Sequence, residues 1–400
     1  MSTQAQAAPT HLGRPTVLLL AVVCGAAVAN IYYAQPLLPV VARAFSVGEG
    51  QAGLLVTASQ IGYALALAFL VPIGDVLERR RLVSTLLLVT GVLLVGAAAA
   101  PSLGVLLAAV AIVAVTSAVA QIVVPMAASL ASDENRGSVV GTVMSGLLVG
   151  ILLARTVAGL VAEIGGWRLV FVLAAVVMVV LAGLVRLALP RVPTSSDESY
   201  PALLRSVGTI VRHDSLVRRR MVLGGVGFGC FTILWTSLSF LLAAPPYSYG
   251  SGVIGLFGLA GLAGALTAVW AGRFADRGHG RRSVTVGLGL LLVSWGLLAL
   301  GGSSLVALIA GIVVLDLAQQ LLQISHQHAI YRRRPAARSR VTSAFLVSAF
   351  IGGAIASALT SALYALVGWP GVCALGAAMA LVGIATWALE LRRPSPADPV

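Results

Sequence analysis

Two residues of opposite charge lie deep inside long apolar segments of this chain, where both could do chemistry. Arg155 stands within residues 138–162 and Asp316 within residues 304–330, each well inside its segment. A charge at such depth is costly and normally faces a partner, a cavity or a proton pathway. The pair therefore predicts either an ion pair or a proton-carrying carboxylate tuned by an arginine. We interpret the two residues as coupling residues, that is, residues that link the movement of a proton to the movement of another solute. In a purely structural alternative, each meets backbone carbonyls or water separately.

Amide and aromatic side chains in four of the apolar segments, including the one that contains Asp316, could hold a small organic substrate. Four glutamines follow Asp316 at helical spacing and share one face of a helix with it, at positions 319, 320, 323 and 327. A single glutamine more often bonds a neighbouring helix than a ligand, so the prediction rests on the whole set. The predicted substrate-binding residues are Asn30, Tyr33, Gln35, Gln121, Trp235, Gln319, Gln320 and Gln323.

Two aspartates occupy matched positions in the two halves of the chain. Asp75 and Asp276 are 201 residues apart, and arginines follow each of them, as in a duplicated unit. Such a carboxylate can cap the positive N-terminal end of a helix in the other half, and an arginine can hold it in place. Contacts made in one conformation only would bias an equilibrium between two states. The predicted gating residues are Asp75, Arg79, Arg80, Asp276, Arg277 and Arg281.

Long apolar runs must position all of these residues. The chain is 59% hydrophobic and 10% charged, whereas a soluble domain carries about 25% charged residues. Runs of this length and low charge predict membrane-spanning helices. We number them span one to span twelve: 16–40, 51–73, 82–100, 103–130, 138–162, 168–189, 221–243, 252–273, 283–301, 304–330, 341–366 and 370–391.

The predicted fold is therefore an all-α integral membrane protein whose twelve transmembrane helices form two pseudo-symmetric six-helix bundles. A longer polar connection joins the bundles, and its residues 202–216 have the apolar spacing of a helix lying on the membrane surface, with a solvated linker as the alternative. The predicted divisions are an N-terminal tail (1–15), an N-terminal bundle (16–189), a linker (190–220), a C-terminal bundle (221–391) and a C-terminal tail (392–400).

The arginines predict the orientation of the chain. All 26 basic residues are arginine, and they concentrate in alternate loops, whereas the opposite loops hold only Arg43 and Arg168. Basic loops stay in the cytoplasm, so we expect a multi-pass protein of the cytoplasmic (inner) membrane with both termini in the cytoplasm. The net charge of +13 then reflects topology and gives no reason to expect a nucleic-acid partner.

Several kinds of chemistry are disfavoured by the residues. Without lysine the chain has no phosphate-loop lysine and no Schiff base, and it contains no zinc-protease or serine-hydrolase motif. The five histidines lack metal-site spacing. We therefore predict no enzyme activity, no cofactor and no metal.

The loop motifs resemble those of the major facilitator superfamily, and the resemblance covers essentially the whole chain. The loop signature of that family, G-x-x-x-D-R-x-G-R-R, is matched from Gly272 to Arg282 with one extra residue; the copy around Asp75 has Val71 and Glu78 where the signature has glycines. Residues 30–39, NIYYAQPLLP, are similar to a bacterial branch of exporters with a first helix reading N-x-Y-Y-x-Q-P-L-L. The resemblance implies that spans one, four, seven and ten line a central cavity.

Span five resembles a second signature, that of drug/proton antiporters in the same superfamily. Gly141, Gly150 and Gly159 stand at three of its glycine positions, while alanines replace two others and Arg155 replaces the proline. Small residues every few positions let helices approach closely, so we expect these glycines to pack the interface between the bundles. The replacement by Arg155 weakens a direct transfer of the antiport function.

Taken with the resemblance, the residues predict a secondary active transporter. We expect proton-coupled export, by alternating access, of a small amphipathic or apolar compound, because the cavity residues are mostly aromatic and amide. The expected partners are this small molecule, protons and the lipid bilayer, and we expect a monomer. Uptake of a small metabolite and a non-transporting membrane sensor are the alternatives.

Overall fold

The structure, a computed structural model, describes residues 13–190, 199–261, 280–333 and 338–392. Every regular element in these ranges is a helix. Ten of the described helices are long and apolar enough to cross a membrane. The longest one supplies two spans, so the described residues contain eleven complete spans and, from Ser251, the start of span eight. The predicted all-helical membrane fold is confirmed.

Spans one to six form the N-terminal bundle. Spans one and four are each built from two consecutive helices, and span two ends in a π-helical and a 3-10 turn. The bounds are Arg14–Ala29 with Ala34–Ala44 for span one, Glu49–Leu65 with Ala66–Leu70 and Val71–Asp75 for span two, Arg79–Ala98 for span three, Leu103–Thr116 with Val119–Leu130 for span four, and Arg136–Ala188 for spans five and six together.

The C-terminal bundle follows a short helix in the linker. The linker helix is Tyr200–His213; the spans are Ser215–Ala243 for span seven, Ser251–Leu256 with Phe257–Leu259 for the described start of span eight, Gly280–Leu300 for span nine, Leu305–Arg333 for span ten, Arg338–Val367 for span eleven and Trp369–Leu391 for span twelve.

Local chemistry explains where several helices begin and turn. Glu78 accepts hydrogen bonds from the backbone N–H groups of the first turn of span three, and Asp214 does the same for span seven. Spans five and six are separated by Gly166, whose φ of 75° is a conformation that side-chain-bearing residues rarely adopt. The chain reverses at this glycine, so residues Arg136–Ala188 form two helices, each of which crosses the membrane once.

Each bundle has its own hydrophobic core. One core is formed mainly by residues between Val17 and Leu189, and the other by residues between Leu223 and Trp387. Large aliphatic residues also cover the outside of both bundles, where the side chains of Val92, Val180 and Ile355 are more than half exposed. Apolar exposure on this scale is what contact with lipid requires.

The linker helix contacts both bundles. The Tyr200 hydroxyl donates a hydrogen bond of 2.9 Å to the Phe69 carbonyl in span two, and Ile210 packs on a small cluster formed by spans seven, ten and eleven. The helix predicted for residues 202–216 is thus present at Tyr200–His213, with its apolar face against the protein.

The two ends of the bundles differ in their arginine content, and we call them the arginine-rich and the arginine-poor end. Since basic loops remain in the cytoplasm, we expect a reporter fused after Arg212 to be cytoplasmic and one fused after Gly302 to be external. Alkaline phosphatase and green fluorescent protein fusions measure this, because each is active on one side only. The opposite location at either position would contradict the predicted topology.

Candidate functional site

Arg155 lies in an aromatic enclosure between the two bundles. Its side chain is 3% exposed. Its guanidinium carbon is 3.9 Å from the ring centre of Trp235, 4.8 Å from that of Tyr32 and 5.5 Å from that of Phe231. Tyr32 comes from span one, whereas both other rings come from span seven. Cation–π contacts therefore hold this buried charge from both bundles.

The hydrogen bonds of Arg155 go to neutral acceptors. Its Nε donates to Oε1 of Gln35 at 2.6 Å, and Nη1 donates to the Ile151 carbonyl at 3.4 Å. Nη2 is buried and has no hydrogen-bond partner among the described residues. The guanidinium thus keeps an unused donor in a buried position.

Trp235 connects Arg155 to Asp316. Its indole Nε1 donates to Oδ1 of Asp316 at 3.4 Å, while its ring face carries the guanidinium of Arg155. None of the ion pairs among the described residues, with nitrogen and oxygen within 4.0 Å, includes Arg155 or Asp316. The predicted direct ion pair is therefore absent, and the arrangement corresponds to the alternative, a buried carboxylate near an arginine. The Trp235 indole contacts both groups, with its ring face against the guanidinium and its N–H directed to the carboxylate.

Glycines of span eight allow this close packing. A Cβ added at Gly258 would lie 3.0 Å from the Cβ of Arg155, and one added at Gly261 would lie 2.5 Å from Oδ2 of Asp316. Both charged side chains therefore lie directly against the backbone of span eight. The site is built from spans one, five, seven, eight and ten, and it joins both bundles.

The predicted substrate-binding residues divide into two groups. Gln35 and Trp235 contact Arg155 or Asp316 directly, and Gln319 lies one turn from Asp316 with its buried Oε1 unpaired beside Gly227. The others lie elsewhere or are half-buried. Asn30 donates to Ser117 and Met178 inside the N-terminal bundle, Gln121 donates to Tyr63, and Tyr33, Gln320 and Gln323 are half-buried.

Aromatic contacts across the centre were not anticipated from the sequence. The Phe350 ring of span eleven lies 4.5 Å from that of Tyr63 in span two and 4.7 Å from that of Phe228 in span seven. Gln60 donates to Thr232 at 3.5 Å and so also joins the bundles. Phe228, Phe231 and Trp235 recur at helical spacing, which could have indicated an aromatic face on span seven.

The three predicted packing glycines occupy different environments. Gly159 lies at the bundle interface, where an added Cβ would collide with the backbone of Ser251 and Gly255. Gly150 instead approaches the backbone of Gly25 in span one, within the same bundle. Gly141 has open space toward the described residues. Of these three glycines, only Gly159 packs against the other bundle within the described residues. The reason is that span five faces span one along part of its length and span eight along another part.

Four of the six predicted gating residues lie within the described part of the chain, three of them in the first half. Nη2 of Arg79 lies 3.0 Å from Oδ1 of Asp75, and its Nε donates to the Gly74 carbonyl. Arg80 donates to the Leu189 carbonyl at 3.0 Å and ties span three to the end of span six. Arg281 is exposed at the start of span nine, while Asp276 and Arg277 lie outside the described residues.

An apolar groove lies apart from these polar residues. It has a volume of about 470 Å³ and runs between spans two and eleven, with walls formed by Ile61, Leu65, Phe69, Val347 and Ile351 among others. Several of these side chains face outward and are about half exposed. The groove belongs to the lipid-facing surface, whereas the charged site at Arg155 is closed.

Comparison with known proteins gives the family. The family model of the Major Facilitator Superfamily matches residues 18–278 and 246–400. "Uncharacterized transporter YgaY" of Escherichia coli O157:H7 is 50% identical over 381 residues, covering 95% of this chain and 96% of that protein. "Probable transporter SCO4007" of Streptomyces coelicolor is 34% identical over 378 residues, covering 94% and 87%.

Solved structures share the fold at low sequence identity. A bacterial homologue of the human lysosomal transporter Spinster, in an inward-facing and occupied conformation, has a TM-score of 0.72 at 15% identity and covers 96% of this chain and 98% of its own. The nucleoside transporter NupG has a TM-score of 0.75 at 14% identity, covering 93% and 99%. Together with the family match and the buried site between two bundles, these likenesses lead to one conclusion: the chain belongs to the major facilitator superfamily and is a membrane transporter.

Proposed function

We propose that this transporter is a proton-coupled exporter of a small amphipathic compound, an antiporter in which Asp316 carries the proton. The observation that carries the proposal is the buried Asp316, which no ion pair among the described residues neutralises and which accepts a weak hydrogen bond from Trp235. A carboxylate so placed can exist in protonated and ionised forms, and the two forms interact differently with Trp235 and with the nearby arginine.

The surroundings of Asp316 support an amphipathic substrate. Phe231 and Trp235 provide apolar ring surface, and Gln319 provides an unpaired acceptor oxygen on the same face as Asp316. A mostly apolar wall with a few convergent polar groups is typical of small-molecule sites. Exchange follows if substrate and proton compete for the same carboxylate, so that one leaves as the other binds.

A two-stage experiment tests this function. Growth inhibition is first measured across a compound panel in a host deleted for its own pumps, with and without the protein. A protected compound is then loaded into proteoliposomes with a pH-sensitive dye inside. We expect compound efflux to be accompanied by proton entry. Compound binding without any flux would support the membrane-sensor alternative instead.

Proton-coupled uptake is the second candidate, and one observation favours it. Nη2 of Arg155 is a buried donor without a partner in the described part of the chain. A guanidinium can bind a substrate carboxylate through charge-assisted hydrogen bonds. A substrate anion and an ionised Asp316 would repel each other, so the anion and the proton would travel together. The same dye experiment distinguishes the candidates, because symport moves protons in the direction of the substrate.

We also propose that Asp75 and Arg79 act in gating at the arginine-rich end, with Arg80, Asp276, Arg277 and Arg281. We expect Asp75→Asn to lower the transport rate about tenfold while substrate affinity stays within about twofold, because a lost conformational contact of roughly 1.4 kcal/mol changes an equilibrium tenfold. Initial rates and binding isotherms measure the two quantities separately.

Asp133→Asn is the control, since Asp133 is an exposed aspartate paired with Arg136 at the same end. A normal rate in Asp75→Asn would contradict a gating role.

A further inference from the structure

A carboxylate at the arginine-poor end joins the two bundles in a way that neither the sequence nor the family assignment indicated. Glu163 stands at the end of span five, in the N-terminal bundle. Its Oε2 accepts hydrogen bonds from the backbone N–H of Gly252 at 2.9 Å and from the Ser251 hydroxyl at 3.0 Å. Both donors belong to the first turn of span eight, in the C-terminal bundle. The side chain of one bundle therefore caps a helix of the other.

Span eight has no cap of its own. Its N-cap residue is Gly250, which has extended backbone angles and no side chain to accept a hydrogen bond. The first N–H groups of a helix need an external acceptor, and a negative charge is favoured there. Glu163 supplies both features from across the interface.

The backbones of the two bundles are in direct contact beside this cap. A Cβ at Gly159 would collide with the backbone of Ser251 and Gly255, and the Thr156 hydroxyl donates to the Gly255 carbonyl at 2.9 Å. Across the interface, Thr57 of span two donates to Ser357 of span eleven at 3.1 Å. The arginine-poor end is thus closed in this structure, and Glu163 lies at the outer edge of the closure.

We infer that Glu163 is a positioning residue of the transport cycle, which holds the arginine-poor end closed until its carboxylate leaves span eight. The inference rests on alternating access of the two bundles but not on proton coupling through Asp316. A helix capped by its own bundle would stay capped in every conformation. A cap supplied by the other bundle is lost when that end opens, so it stabilises the closed state selectively.

Spin-label distances test this inference directly. Ala44→Cys and Ser303→Cys place labels on exposed residues at the arginine-poor end, one on each bundle, and the three native cysteines are buried. The purified full chain is placed in lipid nanodiscs without substrate or pH gradient. Electron–electron double resonance then gives the distribution of label-to-label distances. From it we obtain the ratio of molecules with the open distance to molecules with the closed distance. We expect Glu163→Ala to raise this ratio roughly two- to fivefold, the range that a charge at a helix terminus supports.

Matched variants separate a gating contact from simple helix stabilisation. Glu134→Ala removes an exposed glutamate at the arginine-rich end and should leave the ratio unchanged. Gly250→Asp, added to Glu163→Ala, gives span eight a cap from its own bundle, in the space that the Glu163 carboxylate had filled. We expect the ratio to stay raised in this double variant. A return to the wild-type ratio would show that Glu163 only stabilises the helix.

Two other outcomes also decide the question. An unchanged ratio in Glu163→Ala would overturn the inference outright. If that variant does not fold, Glu163→Gln keeps the length of the side chain and an acceptor oxygen without the charge, and a smaller shift toward the open distances is expected. Because no proton gradient is applied, a failure here leaves the proton-coupling proposal untouched, and a failure of Asp316 as the proton site leaves this result standing.

Discussion

Asp316→Asn should abolish transport against a concentration gradient while it still permits exchange of substrate down a gradient. The asparagine keeps the size of the side chain and an acceptor oxygen for the Trp235 indole N–H, but it cannot release or take up a proton. A carrier whose only proton site is neutralised can still change conformation with substrate bound. One exchanged proton per substrate supports about tenfold accumulation for each unit of imposed pH gradient, because one pH unit corresponds to about 1.4 kcal/mol. Without the carboxylate we expect accumulation to fall to the level of passive equilibration.

Proteoliposomes with an imposed pH gradient measure both activities of this variant. Asp316→Glu is the matched variant, because it retains a titratable carboxylate and should retain part of the proton-driven accumulation. Concentration of substrate by Asp316→Asn under a proton gradient would contradict the mechanism. Coupling would then have to use another group, such as His326, which is fully buried on the same span.

Arg155→Ala should lower the stability of the protein and also impair proton coupling. The change removes a guanidinium that contacts three aromatic rings and Gln35, and a desolvated cation–π contact contributes about 2 kcal/mol. It also leaves Asp316 buried without a nearby positive charge. Adding Asp316→Asn removes the free-energy cost of burying an uncompensated carboxylate. The double variant should therefore be more stable than Arg155→Ala alone.

Thermal unfolding in detergent gives these stabilities, and the four proteins form a double-mutant cycle. Arg168→Ala is a suitable control, since Arg168 also lies over a tryptophan, at 4.3 Å from the Trp167 ring centre, but is exposed. Its loss should change stability by less than about 1 kcal/mol. Strict additivity of the two changes at Arg155 and Asp316 would show that the residues act independently and that Trp235 does not connect them.

The architecture was determined largely by composition and periodicity. Long apolar runs interrupted by arginine-rich loops predict spanning helices, since a backbone in lipid must satisfy its own hydrogen bonds. The matched aspartates at 75 and 276 indicated a duplicated unit, and the family match covers both halves of the chain. Because a charge in an apolar span is costly wherever the helix packs, Arg155 and Asp316 could be recognised as unusual from the sequence alone.

The partners of those charges were decided only by tertiary packing. The sequence places Arg155, Trp235 and Asp316 in three different spans, and nothing in their spacing shows that one indole contacts both charged groups. Likewise, Gly150 and Gly159 belong to one pattern, yet one approaches span one and the other span eight. The rotation of each helix about its axis selects these neighbours, and apolar runs that face lipid on one side and protein on the other do not fix that rotation strongly.

The contact of Glu163 with span eight shows the same limit most clearly. A glutamate near the end of an apolar run normally indicates only a solvent-exposed helix end, and its sequence surroundings give no sign of a partner 89 residues away. Its role as a cap depends on two bundles meeting at Gly159 and on Gly250 lacking a side chain. The sequence determined which helices exist and which charges are costly, whereas the docking of the bundles decided which groups meet, because a contact across an interface is a property of both surfaces together.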